Sequence, residues 1–116
     1  MSIKVCVLGS GSTGNCIFVR SESTTVLVDL GIPVTRVEKC LKTFGVDPDD
    51  VNIVLTHAHA DHICGAEKYC HRHPATGLYC HDDCYGSIYR KIGECRQRLA
   101  HYGSDFYVGD ITVSPF

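Results

Sequence analysis

Four metal-ligand side chains crowd into one short stretch directly behind an apolar run. His57, His59, Asp61 and His62 lie in Thr56-His57-Ala58-His59-Ala60-Asp61-His62, immediately after Val51-Asn52-Ile53-Val54-Leu55. The apolar run reads as a strand. Neutral imidazole nitrogen and carboxylate oxygen both bind first-row metals. In an extended segment residues i and i+2 point to one side, so His57 and His59 can converge on one metal. If the chain then turns into a helix, Asp61 and His62 address a second point close by. Two metals roughly 3.5–4 Å apart form a clamp for the attacking and leaving oxygens of a displacement. The alternative is three surface histidines and a solvated aspartate at a strand end. A lone histidine is usually of that kind, but four ligand types in H-x-H-x-D-H order behind a strand favour metal. The H-E-x-x-H pattern of helix-borne zinc proteases is absent. A strand end is also where an α/β layer exposes its functional loops.

The rest of the pattern is that of a layered α/β (α+β) domain. Residues 3–8 read as a buried strand, 9–15 as a tight polar loop, and 16–20 and 25–29 as further strands, together a β-meander. The spacing predicts a helix over 33–44. Pro33 suits its first position, Thr35 and Glu38 have capping-box spacing, Val34, Val37, Leu41 and Phe44 share a face, and Gly45 is the stop. Beyond the histidine cluster the pattern predicts a helix over 63–72, a short strand over 76–80 and mostly helix over 82–99. A hairpin follows, with its turn at Gly109-Asp110. Residues 1–116 form a single domain with no repeat or linker. Val113-Ser114-Pro115-Phe116 stops in or just after a strand, which is the expectation for a truncated domain.

Composition excludes several classes. Hydrophobic residues are 44% and charged residues 21%, as in a globular chain. The charge, 11 − 13 = −2, gives no bulk attraction for nucleic acid. No apolar run approaches the roughly 18 residues of a membrane span, and the opening is a poor signal peptide. The eight cysteines sit in apolar periodic segments. Reduced, cytoplasmic thiols packed as small hydrophobes are therefore expected, not a disulfide framework.

Residues 56–62 resemble the signature of the metallo-β-lactamase superfamily. Val26-Leu27-Val28-Asp29-Leu30-Gly31 is similar to its early strand-end aspartate motif. Gly9-Ser10-Gly11-Ser12-Thr13-Gly14-Asn15-Cys16 resembles the S-G-S-x-G-N-C opening of the bacterial YycJ-type branch, associated with cell-wall regulatory operons and nuclease-like activity. The resemblance implies the N-terminal half of an αββα sandwich with a two-metal site at the edge between the sheets. Hydrolysis there uses a metal-activated water. It further implies that His57 and His59 bind the first metal, that Asp61 and His62 bind the second, and that Asp61 orients or deprotonates the water. Asp29 is then a structural acid beside the site; a simple turn acid is the alternative. Zinc is the implied metal, two per complete site, with manganese or iron as alternatives. The family's complete site needs a further histidine, a bridging aspartate and a late histidine. His71, His73, His81 and His101 do not stand in matching contexts.

Weaker signals remain. The glycine-rich loop fails the phosphate-loop test because no lysine follows its last glycine. It reads as a tight loop under the metal site, with Ser10, Gly11, Ser12 and Asn15 as candidates to contact a substrate phosphate. Cys70, His73, Cys80 and Cys84 are all zinc-ligand types, but core thiols are the simpler explanation. Tyr85, Tyr89 and Tyr102 with Arg90, Lys91, Arg96 and Arg98 form a basic-aromatic stretch that a nucleic-acid backbone or plain solvent would suit. Three functions follow. The first is a metal-dependent hydrolase acting on phosphodiesters or nucleic acid. The second is a catalytically incomplete half-domain that binds metal weakly or assembles as a homodimer or with a complementing chain. The third, β-lactam hydrolysis, is disfavoured because such enzymes are exported.

Overall fold

A computed structural model describes residues 2–115. Met1 and Phe116 lie outside the described residues, and so does the expectation placed on Phe116. The chain opens with three antiparallel strands, β1 (Lys4–Gly9), β2 (Cys16–Arg20) and β3 (Thr25–Val28). Helix α1 (Val34–Thr43) returns the chain so that β4 (Asn52–Leu55) lies parallel to β3. Helices α2 (Ala60–Ile63) and α3 (Ala66–Arg72) lead to β5 (Gly77–His81). Helix α4 (Asp82–Tyr89) and a 3-10 turn (Gly93–Arg98) lead to β6 (Leu99–Tyr102). One six-stranded sheet results, in the order β1 to β6, parallel from β3 onward. Parallel neighbours need long crossovers, and the helical segments supply them. A separate antiparallel hairpin follows, β7 (Phe106–Val108) with β8 (Ile111–Val113).

The two faces of the sheet are apolar for different reasons. Phe18, Leu27, Ile53, Leu55 and Leu78 point toward the helices and meet Val37, Leu41, Tyr69 and Ile88 in the main core. Each such side chain contributes about 1.5–3 kcal/mol on burial. Val26, Val54 and Tyr79 alternate to the other face, where Phe106 and Val108 of the hairpin cover them. The hairpin is pinned at its turn. The Ser21 hydroxyl donates to Asp110 Oδ1 at 2.6 Å, and a Cβ on Gly109 (φ 59°) would fall 2.1 Å from the Thr24 hydroxyl oxygen. Helices on one face and a hairpin on the other make a partial αββα sandwich.

Four sequence expectations are corrected. The first strand is an edge, not a buried strand: Val5 and Val7 are 62% and 60% exposed, because they alternate to the face that the hairpin does not reach. Thr35 and Glu38 form no capping box; Pro33 is the cap residue, without a side-chain cap bond, and Glu38 is bound elsewhere. The helix expected over 63–72 is two helices, interrupted at Gly65, whose N–H donates to the Leu30 carbonyl at 2.8 Å. The long helix expected over 82–99 stops at Tyr89. Gly93 (φ 68°) turns the chain into the 3-10 segment, and Leu99 begins a strand with too few residues to show alternation in sequence.

Candidate metal centre

The histidine cluster sits at the carboxyl ends of β3 and β4, where parallel sheets open onto their loops. Asp29 directly follows β3. Its φ of 66° is left-handed, a region Asp tolerates better than most residues. Its N–H donates to the Val54 carbonyl at 2.8 Å, and the residue is 5% exposed. Oδ1 accepts the Thr56 N–H at 2.8 Å; Oδ2 accepts the Thr56 hydroxyl at 2.6 Å and His62 Nδ1 at 2.7 Å.

This network sets the ring tautomers. An ionised carboxylate only accepts, so His62 donates from Nδ1 and a neutral ring keeps its Nε2 lone pair. The Thr56 hydroxyl has given its proton to Asp29. Its 2.8 Å contact with His57 Nδ1 is therefore one in which His57 donates, and His57 Nε2 is likewise left as an acceptor. Asp29, His57 and His62 offer ligand-type atoms that all lie within 4.8 Å of one another. A carboxylate behind a histidine fixes the ring and raises its basicity toward a metal. The donor set and its spacing fit a first-row metal.

The other two cluster residues lie at the rim. His59 precedes α2 as its cap residue, exposed, with its ring centroid 6.1 Å from that of His57; the His57–His62 separation is 4.7 Å. Asp61 is half-buried in the first turn of α2, with Oδ2 3.7 Å from His62 Nε2. The glycine-rich loop lies against this turn. Asn15 Nδ2 donates to the Asp61 carbonyl and to Asp61 Oδ2, both at 3.2 Å, while Asn15 Oδ1 accepts the Gly11 N–H at 3.1 Å. Backbone bonds add Asn15 N–H to the Asp61 carbonyl (2.7 Å), Leu30 N–H to the His62 carbonyl (2.7 Å) and Gly31 N–H to the Asn15 carbonyl (2.9 Å). Three turns far apart in sequence are thus laced together. Gly31 is required there, since a Cβ would fall 1.8 Å from the Asp61 carbonyl oxygen. Ser10, Gly11 and Ser12 stay exposed.

Sequence reasoning quoted Thr56 and Gly31 within motifs without giving either a role, and read Lys91 only as part of the basic-aromatic stretch. Thr56 had one signal, a hydroxyl side chain between the strand and the first histidine. Lys91 Nζ donates to the Ala58 carbonyl at 3.1 Å, inside the ligand stretch. Of the basic stretch, Arg98 is spent on the Cys70 and Thr76 carbonyls, and Arg96 lies over Tyr89 at 5.4 Å. Cys70, His73, Cys80 and Cys84 scatter: among the described residues no three of them come within reach of one ion. A groove of about 900 Å³ between sheet and hairpin opens beside the site, lined by Val28, Val54, Thr56, His57, His81 and Cys84 among others.

Comparison with known proteins agrees with this architecture. Residues 9–113 match the family described as the metallo-beta-lactamase superfamily. The whole chain aligns with 45% of exodeoxyribonuclease YycJ of Bacillus anthracis at 29% identity, and with 45% of exodeoxyribonuclease WalJ of Streptococcus pneumoniae at 25%. The chain thus spans about half the length of these relatives. Among solved structures, 95% of the chain superposes on 48% of MEM-A1, a subclass B3 metallo-beta-lactamase from a soil metagenome (TM-score 0.75, 16% identity). It also superposes on 47% of BJP-1 of Bradyrhizobium japonicum (TM-score 0.72, 17% identity). Likeness at those identities speaks to the fold alone. With the H-x-H-x-D-H turn at the sheet edge and the family match running from the glycine loop to the hairpin, the chain belongs to the metallo-β-lactamase superfamily, in its YycJ/WalJ-type branch.

Proposed function

We propose that this chain supplies metal ligands to a hydrolase acting on phosphodiesters of nucleic acid. One observation carries the proposal: a single buried carboxylate, Asp29, holds His62 directly and His57 through Thr56, and the three residues offer ligand-type atoms within 4.8 Å of one another. His57 and His59 would hold one metal, and Asp61 and His62 a second. Asp29 acts as the positioning acid, because its two oxygens already accept three hydrogen bonds. Zinc suits this set, and manganese or iron takes the same nitrogen and oxygen donors. A bound metal supplies Lewis-acid activation of water and of the scissile phosphate. Asp61 would orient that water and take its proton. Ser10 and Ser12 are exposed and would meet a phosphate, whereas the Gly11 N–H is engaged with Asn15 Oδ1 and Asn15 with Asp61. The substrate class rests on the exodeoxyribonucleases that the chain resembles. No helix among the described residues is long and apolar enough to cross a membrane, and free thiols suit a reducing cytoplasm.

A second reading has its own support. The exposed β1 edge and the open groove favour a half-domain that completes its site with a partner chain or a second copy.

Elemental analysis after exhaustive dialysis tests the first reading, together with chelator-sensitive release of nucleotides from single-stranded DNA. About two metals per chain, lost in His57→Ala and His62→Ala, with DNA cleavage, is the expected result. Tight metal without cleavage favours the half-domain. No retained metal removes the enzymatic reading for this chain.

A further inference from the structure

Arg36, Arg72 and Arg98 are spent away from the histidine cluster, on the Leu8 carbonyl, on Glu38 and on the Cys70 and Thr76 carbonyls. Lys91 is placed differently. Its Nζ donates to the Ala58 carbonyl at 3.1 Å, and Ala58 stands between His57 and His59. The backbone behind it is fixed. The Lys91 N–H donates to the Ile88 carbonyl at 2.9 Å, and Ile88 and Ile92 are buried. In the first turn of α4 the Cys84 thiol donates to the Thr56 carbonyl at 3.5 Å. The carbonyls before and after His57 are thus both held from the α4 side. An ammonium has three N–H donors, and the Ala58 carbonyl takes one. Lys91 is exposed, and among the described residues no carboxylate pairs with it. An un-neutralised positive charge therefore stands beside the ligand stretch, with two donors left for an anion.

We propose that Lys91 is a phosphate-binding residue, taking a backbone phosphate of a single-stranded nucleic acid that lies across the histidine cluster. The inference rests on the hydrolase reading for its substrate class and goes beyond it by assigning the contact. The placement supplies what the composition lacks. A chain of net charge −2 has no bulk attraction for a polyanion, so a cation fixed beside the site has to provide it locally. The glycine loop, with Ser10 and Ser12 exposed, packs on the Asp61 turn, whereas Lys91 meets the stretch at Ala58. The ligand stretch is thus met by hydroxyls at one end and by an ammonium at the other. A strand crossing it meets neutral donors at the first and a charge at the second. A phosphate that reaches Lys91 releases a condensed counterion, which makes the contact salt-dependent. The alternative is a strut, with Lys91 only steadying the Ala58 carbonyl. The two roles separate by charge, because a strut needs a donor and a phosphate contact needs a cation.

Fluorescence anisotropy of a labelled oligothymidylate tests the assignment, titrated with the 116-residue chain in excess chelator over a range of salt. Chelation prevents cleavage, so the readout is binding alone. Lys91→Gln keeps a donor for the Ala58 carbonyl and removes the charge; Lys91→Arg keeps the charge. Lys91→Gln should bind about fivefold more weakly at about 0.1 M salt, with a slope of log affinity against log salt shallower by about 0.7, the value for one phosphate contact on a single strand. Lys91→Arg should restore both. The proposal is overturned if Lys91→Gln keeps the affinity and slope of the parent, if Lys91→Arg does not restore them, or if the parent does not bind. A metal-loaded parent that releases nucleotides, beside an unchanged slope in Lys91→Gln, removes this contact and leaves the hydrolase reading standing. The expected slopes in a chain that retains no metal leave the contact and remove the hydrolase reading.

Discussion

A carboxylate shut away from water must find its partners within the chain, and Asp29 finds three. Hydrogen bonds to a charged group are worth about 1.5–3 kcal/mol each, which outweighs the cost of holding a non-glycine residue at positive φ. Asp29→Ala removes the acceptor for both Thr56 donors and frees the His62 ring. Loss of such supporting groups typically costs about 10–100-fold in metal affinity, and that is the expected result in a zinc-chelator competition. An unchanged affinity would refute the relay. The four ligand types were legible in the sequence because they are neighbours along the chain. The role of Asp29 was legible only as a choice between turn acid and structural acid. Its partners Thr56 and His62 lie 27 and 33 positions away, a separation no local pattern encodes. Gly31 was hidden for the same reason, since only the approach of the Asp61 carbonyl explains it.

At the scale of elements, α1 and α3 are clasped by one imidazole. His73, at the end of α3, faces Glu38 of α1 through Nε2 at 2.6 Å and Asp49 of the following turn through Nδ1 at 2.5 Å. Arg72 shares Glu38 at 3.1 Å, and the Tyr69 hydroxyl donates to the Pro48 carbonyl. Burial opposes the charged ring, but the Asp49 and Glu38 carboxylates outweigh it and raise its pKa above 6.5. The folded state therefore holds the proton more tightly than the unfolded chain does. Its contribution is complete below about pH 6.5 and fades as pH rises through the higher folded value. Urea midpoints should accordingly fall from about pH 6 to about pH 8 in the parent, and fall less in His73→Gln; equal slopes would exclude the clasp. This is also why the capping box failed: Glu38 is drawn to His73, a tertiary partner, and away from its own helix end. The meander, α1, β4 and the hairpin were legible because their periodicity is long or their turns are marked by glycine. The break at Gly65 and strand β6 were not, because tertiary contacts decide them.

On the scale of the molecule, the sheet is finished on one side only. Helices seal one face, while the hairpin covers part of the other and leaves Ile3, Val5 and Val7 at 60–62% exposure along an unpaired edge. Such an edge pairs readily with another chain. Sedimentation velocity should show concentration-dependent self-association of the 116-residue chain, suppressed in a Val5→Lys, Val7→Lys double variant. Monomeric behaviour of the parent at all concentrations would show that the edge is protected in some other way. Layering and family were legible in the sequence; the sidedness of β1 was not, since an apolar strand reads alike whether or not a neighbour covers it.

The lacing of the glycine loop, the Leu30-Gly31 turn and the histidine stretch has a kinetic consequence. Most of its bonds run between backbone atoms and the Asn15 amide, with one more from that amide to the Asp61 carboxylate. Were the proposed metal bound here, its loading would need no folding step, and a chelator should strip it without a change in far-UV circular dichroism.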